Sequence, residues 1–146
     1  LLTPITKNYD YIIIDCPPSL GLITINTLCA AHEILIPLQC EFFALEGIIK
    51  LLQTYTQIRR RLNKELKILG ILLTMYDARN KLARQIKEEA EHCFPGKMLQ
   101  TVVPRNVRLS EAPSHGKTII NYDIRSQGAE AYLQLAQEVV KRKAMA

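Results

Sequence analysis

Four short runs, nearly continuous in apolar residues, constrain this chain more than any other feature. They are Ile12 to Ile14 in YDYIIID, Glu33 to Leu38 (EILIPL), Ile68 to Met75 (ILGILLTM) and Leu99 to Val103 (LQTVV). A strand wetted on one face alternates apolar and polar residues, whereas a strand covered on both faces does not. Between the runs, apolar residues recur at helical spacing: Leu45, Ile48, Leu52, Tyr55 and Leu62 form one stripe, and Leu82, Ile86, Ala90 and Cys93 another. A final stripe, Ala129, Tyr132, Leu133, Ala136, Val139 and Val140, has Ser126 as a candidate cap and Lys141 to Lys143 at its negative end. The order strand, helix, strand, helix, strand, helix, strand, loop, helix predicts an α/β fold, a parallel sheet with helices on both faces. Because Ile12, Ile13 and Ile14 are apolar on both sides, the first strand is expected to be central, and the chain to be the second half of a larger sheet.

The length of 146 residues is that of one domain, with no repeat, linker or low-complexity segment. No apolar stretch approaches the roughly 20 residues needed to cross a bilayer, and no secretory leader is evident, so a soluble, cytoplasmic protein is expected. Cys16, Cys29, Cys40 and Cys93 form no C-x-x-C pair and read as free thiols. Charge is uneven: residues 1–50 carry 2 basic and 5 acidic side chains, residues 51–146 carry 17 and 9. The later part is therefore open to a polyanion, although a solvated basic surface accounts for the asymmetry equally well.

In an open parallel sheet, ligands sit beyond the carboxyl ends of the strands. The loops at residues 15–21, 39–43, 76–80 and 104–108 are thus expected to share one edge. Asp15, closing an apolar strand, stands where P-loop nucleotide hydrolases hold magnesium with a Walker B carboxylate; an aspartate there is also common as a mere cap of the next turn. The segment SEAPSHGKT imitates the end of a phosphate loop, but Glu111 stands where the first glycine belongs and no buried strand leads into it. His32, His92 and His115 are scattered without a metal or nucleophile constellation. Arg79 and Arg84 are expected to begin one helix, and Arg105 and Arg108 to lie in a turn after the last strand, so both pairs belong to the same end of the sheet. Arginine binds phosphate through two parallel hydrogen bonds, and ion pairing on the surface is the alternative use. Arg59, Arg60, Arg61, Lys64 and Lys67 make a second basic group at a helix end, where cations also favour the dipole.

Taken together, the segments YDYIIIDCPPSLGLITINTLCAA, ILIPLQCEFFALEGIIKLL, ILGILLTMYDARN, VVPRNVRLSEAPSHGKTIINYD and RSQGAEAYLQLAQEV resemble the ParA/Soj family of chromosome and plasmid partitioning ATPases. The resemblance runs from Tyr9 to Val140. It implies the ParA/MinD-like P-loop NTPase fold, a homodimer formed around ATP and magnesium, DNA binding without sequence preference, and hydrolysis stimulated by a ParB-type partner. By the same resemblance Asp15 is the Walker B acid, acting on magnesium through water, and Pro17, Pro18, Ser19, Leu20 and Gly21 form the turn behind it. Pro104, Arg105 and Asn106 match the loop beside the adenine; Arg79 and Arg108 match DNA-contacting arginines. Cytoplasmic, nucleoid-associated localisation follows.

Two departures are small: Thr118 stands where proline is frequent, and Asn80 where a small hydroxyl residue is commoner. One is large. The glycine-rich loop with its two lysines, which in the family precedes the Walker B strand, has no counterpart in these residues. The single domain at 1–146 is accordingly expected to be the carboxyl-terminal part of such an ATPase and, alone, neither to bind ATP tightly nor to hydrolyse it. A split or degenerate DNA-binding or interaction module is the alternative. A MinD-like membrane ATPase is disfavoured because only KRKAMA follows the last stripe.

Overall fold

The structure, a computed structural model, describes residues 4, 6–17, 21–41 and 44–144. After a short 3-10 turn at Thr6–Asn8 come α1 (Leu22–Ala30), β1 (Glu33–Gln39), α2 (Ala44–Arg61), β2 (Lys67–Tyr76), α3 (Lys81–Cys93) and β3 (Met98–Pro104). The chain ends with α4 (Val107–Ser114), α5 (Ile119–Tyr122) and α6 (Gln127–Ala144). The three strands form a parallel sheet in the order β1-β2-β3, with Ile36 opposite Ile71 and Tyr76 opposite Pro104.

Each face of the sheet has its own core. Ile36, Leu38, Ile71 and Leu73 point to the side covered by α2 and α3, where Ile48, Ala83, Ile86 and Ala90 close over them. Leu72, Leu99 and Val103 point to the other side and meet Ala131 and Leu135 of α6. A third cluster, Leu28, Ile58 and Leu66, ties α1 to α2. Asn63 reinforces it, because its Nδ2 donates to the carbonyls of Leu28, Cys29 and Ala31 at 2.8 to 3.2 Å and satisfies the end of α1. Leu38, Leu66, Ile71 and Leu73 are wholly buried, each contributing about 1.5 to 3 kcal/mol by removal from water.

Three expectations need correction. Ile12 to Ile14 is not a strand: residues 11–17 pair with no described strand, and Ile13 is 93% exposed. An extended segment becomes a strand only where it runs beside a neighbour's free backbone groups; this one takes no place on the open outer edge of β1, and the edge of β3 offers few. Its Gln100 and Thr101 amides are taken by the Glu138 carboxylate, both at 2.8 Å, and its Met98 carbonyl by Arg142 at 2.7 Å. The segment is held instead by Lys143, whose Nζ donates to the Asp10 carbonyl at 3.4 Å and lies 4.2 Å from the Tyr11 ring centroid.

The loop expected after β3 contains α4 and α5. Asn106 starts α4 by accepting the Arg108 amide at 2.8 Å, and Pro113 within the helix hides it from a propensity reading. Thr118, one of the departures noted above, caps α5 by accepting the Asn121 amide, and Asn80, the other, caps α3 by accepting the Leu82 amide at 2.9 Å. Gly116 (φ +62°) makes the turn between α4 and α5, which is the use of the glycine in SHGK.

The helical stripes are also shifted. On α2 Ile58 is buried, while Leu62 lies past the helix end and is exposed; the side chain at residue 45 lies outside the described residues. On α3 the buried face is Ala83, Ile86 and Ala90. On α6 it is Gly128, Ala129, Ala131 and Leu135, leaving Tyr132, Leu133 and Val140 exposed. Ser126 caps α6 as expected, its Oγ accepting the Ala129 amide at 3.1 Å.

Candidate functional site

The carboxyl ends of β2 and β3 finish side by side. The Arg105 amide donates to the Tyr76 carbonyl at 3.1 Å, so the loop after β3 is stitched to the end of β2. With Tyr76 paired to Pro104, this bond sets the turn of Asp77, Arg79 and Asn80 beside that of Arg105 and Asn106, and Arg108 follows in the first turn of α4. Just before the edge, Met75 adopts φ +52°, a conformation that costs a branched or long side chain about 1 to 2 kcal/mol. The ladder between β2 and β3 loses its regular register there, so the chain leaves the sheet through a kink.

Arg79 lies in the turn before α3, with its side chain 92% exposed. Its Nε and Nη2 donate to the two oxygens of Asp77 at 3.1 and 3.0 Å. That fork, joined by the Arg79 amide to the same carboxylate, holds the Asp77 carboxyl below its ordinary range; Arg105 adds a smaller contribution. Arg108, in the first turn of α4, donates Nη1 to Glu111 at 2.9 Å, and its Nε lies 3.5 Å from Asp123. The Tyr122 hydroxyl donates to the same Glu111 oxygen at 3.1 Å, and the His115 ring stacks on Tyr122 with centroids 5.0 Å apart. Arg108 first and Tyr122 second keep the Glu111 carboxyl low. These counter-ions were missed by sequence reasoning; spacings of two residues in DAR and three in RLSE are the signals that could have found them.

Arg105 is exposed, whereas Asn106 spends its Oδ1 on the cap of α4. Arg84 donates Nη1 to the Ala78 carbonyl at 3.1 Å and so braces the Arg79 turn. Among the described residues no hydrogen bond or ion pair links Asp15 to these groups. Asp15 is exposed and forms no ion pair with a described residue. Its segment is anchored at Asp10 and Tyr11 beside the last turn of α6, four residues, or about 13 Å of extended chain, from Asp15. Pro17 is exposed, and Pro18, Ser19 and Leu20 lie outside the described residues.

Magnesium is commonly held by one or two carboxylates together with nucleotide phosphates and water. Asp15 fits the carboxylate share of such a site, and among the described residues no cluster of three or more His, Cys, Asp or Glu side chains could hold a metal alone. The carboxyl edge of β2 and β3 can hold an anion: Arg79 and Arg108 are exposed and oriented by carboxylates that a stronger ligand could displace, and Arg105 is exposed beside them.

A family model described as an AAA domain matches residues 1–68. The sporulation initiation inhibitor protein Soj of Bacillus subtilis (strain 168) is 59% identical over 138 residues, which is 94% of this chain and 54% of that protein. The chromosome partitioning protein ParA of Myxococcus xanthus (strain DK1622) is 55% identical over 141 residues, 97% of this chain and 50% of that protein. The chain thus spans about half the length of the curated relatives it matches. Among solved structures, cobyrinic acid a,c-diamide synthase from Mycobacterium smegmatis with bound ADP and magnesium superposes with a TM-score of 0.79 at 32% identity, over 98% of this chain and 51% of that one. The septum site-determining protein MinD from Pyrococcus horikoshii, complexed with Mg-ADP, gives 0.76 at 26%, over 94% and 53%. In the region shared with these proteins the α/β fold is that of the MinD-like P-loop NTPases. With this identity to the Soj and ParA proteins, the chain belongs to the ParA/Soj family.

Proposed function

We propose that this chain is the carboxyl-terminal portion of a partitioning ATPase, which pairs into a homodimer around ATP and magnesium and binds DNA without sequence preference. The observation that carries the reading is the stitched edge: the turn bearing Arg79 and the turn bearing Arg105 and Asn106, with Arg108 just after it, leave β2 and β3 side by side, on a chain 48 to 59% identical to Soj and ParA proteins. Bound MgATP would supply the hydrolysable phosphate. Asp15 would hold the metal's water shell, with Pro17 shaping the turn behind it. Pro104, Arg105 and Asn106 would flank the base. Arg79 and Arg108 would exchange their carboxylates for DNA phosphates, contacts sufficient for binding that ignores sequence. A ParB-type partner and a cytoplasmic, nucleoid-associated location accompany this reading; among the described residues no helix is long and apolar enough to cross a membrane.

A second reading, a DNA-binding or interaction module without ATPase activity, is favoured by one observation. The described residues offer no run of loop amides and lysine around Asp15 to receive phosphates. Purified 146-residue chain is expected to show no ATP hydrolysis above background and salt-sensitive duplex binding that is weakened, with a shallower salt dependence, in the Arg79→Ala, Arg108→Ala double variant. Turnover by the chain alone would refute the assignment of the phosphate-binding elements to residues outside it. Unchanged duplex binding by the double variant would remove these arginines from the DNA site.

A further inference from the structure

The ion pairs at the carboxyl edge make a contrast with the other end of the sheet. Residues 59–67, RRRLNKELK, carry five cations and one carboxylate, Glu65. Arg59, Arg60 and Arg61 form the last turn of α2, and Lys67 opens β2 opposite Glu33, the first residue of β1. All five cations are exposed, and none forms an ion pair with a described residue. This group lies at the amino ends of the strands. The ten residues of β2 separate it from Arg79 by about 30 Å.

A groove of about 370 Å³ opens there, lined by Tyr55, Thr56, Arg59, Arg60 and Lys64. Its neutral polar groups are already used: the Tyr55 hydroxyl donates to the Leu66 carbonyl at 3.1 Å and the Thr56 hydroxyl to the Leu52 carbonyl at 2.8 Å. What remains for a ligand is charge. One or two cations in a last turn are explained by the helix dipole, at about 0.3 to 1 kcal/mol each; five unpaired cations repel one another and are more than that effect asks for. Three successive arginines, each turned about 100° from the last, spread guanidinium groups over more than half of the helix end. That arrangement suits an extended, curved polyanion better than a single phosphate or carboxylate.

We infer that the amino-terminal pole, built from Arg59, Arg60, Arg61, Lys64 and Lys67, is a second binding surface for the phosphate backbone of nucleic acid, independent of the edge that carries Arg79 and Arg108. Arginine's fork matches phosphate, and a surface that reads charge alone accepts any sequence. The surface does not depend on the function proposed above, because it uses none of the same residues.

Fluorescence anisotropy of the 146-residue chain with a labelled random duplex, across about 50 to 200 mM salt, tests it. The variant Arg59→Gln, Arg60→Gln, Lys64→Gln is expected to bind at least tenfold more weakly, and its slope of log affinity against log salt to fall by about 2.7, near 0.9 for each phosphate left without its cation. The same weakening is expected when these changes are added to Arg79→Gln, Arg108→Gln, so failure at one edge is told apart from failure at the other. Bound duplex should also shield Lys64 of the unaltered chain from acetylation, a readout that needs no variant. Wild-type affinity and slope in the triple variant, or an unshielded Lys64, would overturn the inference. So would polyglutamate competing as strongly as duplex, which would assign the pole to an acidic protein.

Discussion

At the scale of single residues, Asp77 sets what Arg79 can do. The guanidinium holds the Asp77 carboxyl below its ordinary value of 3.8, so the carboxylate persists throughout the neutral range, and only acid below that value would break the pair by protonation. A competing anion is therefore the means of freeing Arg79 near neutrality. Asp77→Asn removes the competitor, and the variant is expected to bind duplex several-fold more tightly, with a salt slope steeper by about the share of one phosphate. Titration of the two proteins side by side checks this, and weaker binding by Asp77→Asn would show that the carboxylate positions the arginine instead. The arginines themselves were legible in the sequence because they follow apolar runs. Their partners were not, since a carboxylate two or three residues away in a turn meets a guanidinium only in one backbone conformation, and Asn80 and Asn106 select that conformation by capping α3 and α4.

At the scale of elements, α6 is the clamp that decides the outer edge of β3. Burial pushes the Glu138 carboxyl up, but the Gln100 and Thr101 amides and Arg142 together outweigh it and hold the group below its ordinary 4.5. A carboxyl lowered by folding stabilises the native state above its unfolded pKa, and that contribution is lost as pH falls through the folded value. Glu138→Gln keeps the shape but loses the charge, and its cost at neutral pH is expected to be about 1.5 to 3 kcal/mol by urea unfolding. The difference from wild type should shrink as pH is lowered below 4.5. At the other end of α6, a Cβ on Gly128 would meet Leu109 Cγ at 2.6 Å. Gly128→Ala should therefore push α6 away from α4 at a cost of about 1 to 3 kcal/mol, measured the same way, and loosen the Arg108 cluster that α4 carries. The three strands that pair and the three long helices were readable from period alone. The buried face of α6 was not, because Ala, Tyr, Leu and Val lie all around it and only the fit of Gly128, Ala131 and Leu135 against α4 and β3 selects one side.

At the scale of the whole molecule, apolar surface remains open. Ile12, Ile13 and Ile14 are exposed, as are Leu22, Ile23 and Leu35, and among the described residues no strand pairs with the outer edge of β1. An unpaired apolar edge is a template for another chain. Sedimentation of the 146-residue chain over micromolar to millimolar concentration is expected to show a mass that rises with concentration, and a constant monomer mass across that range would refute it. The sequence by itself determined the parallel α/β class, the family, and the loops after β2 and β3 as one edge, because those follow from periodicity and from ordered motifs that any neighbour leaves unchanged. Only the tertiary structure decided that YDYIIID is not a strand, that Arg79 and Arg108 are held by carboxylates, and that the cations of residues 59–67 form no ion pair with a described residue. A strand exists only if a partner presents free amides and carbonyls, and an ion pair only if the fold brings two charges within about 4 Å; both are properties of neighbours in space, which a linear pattern does not carry.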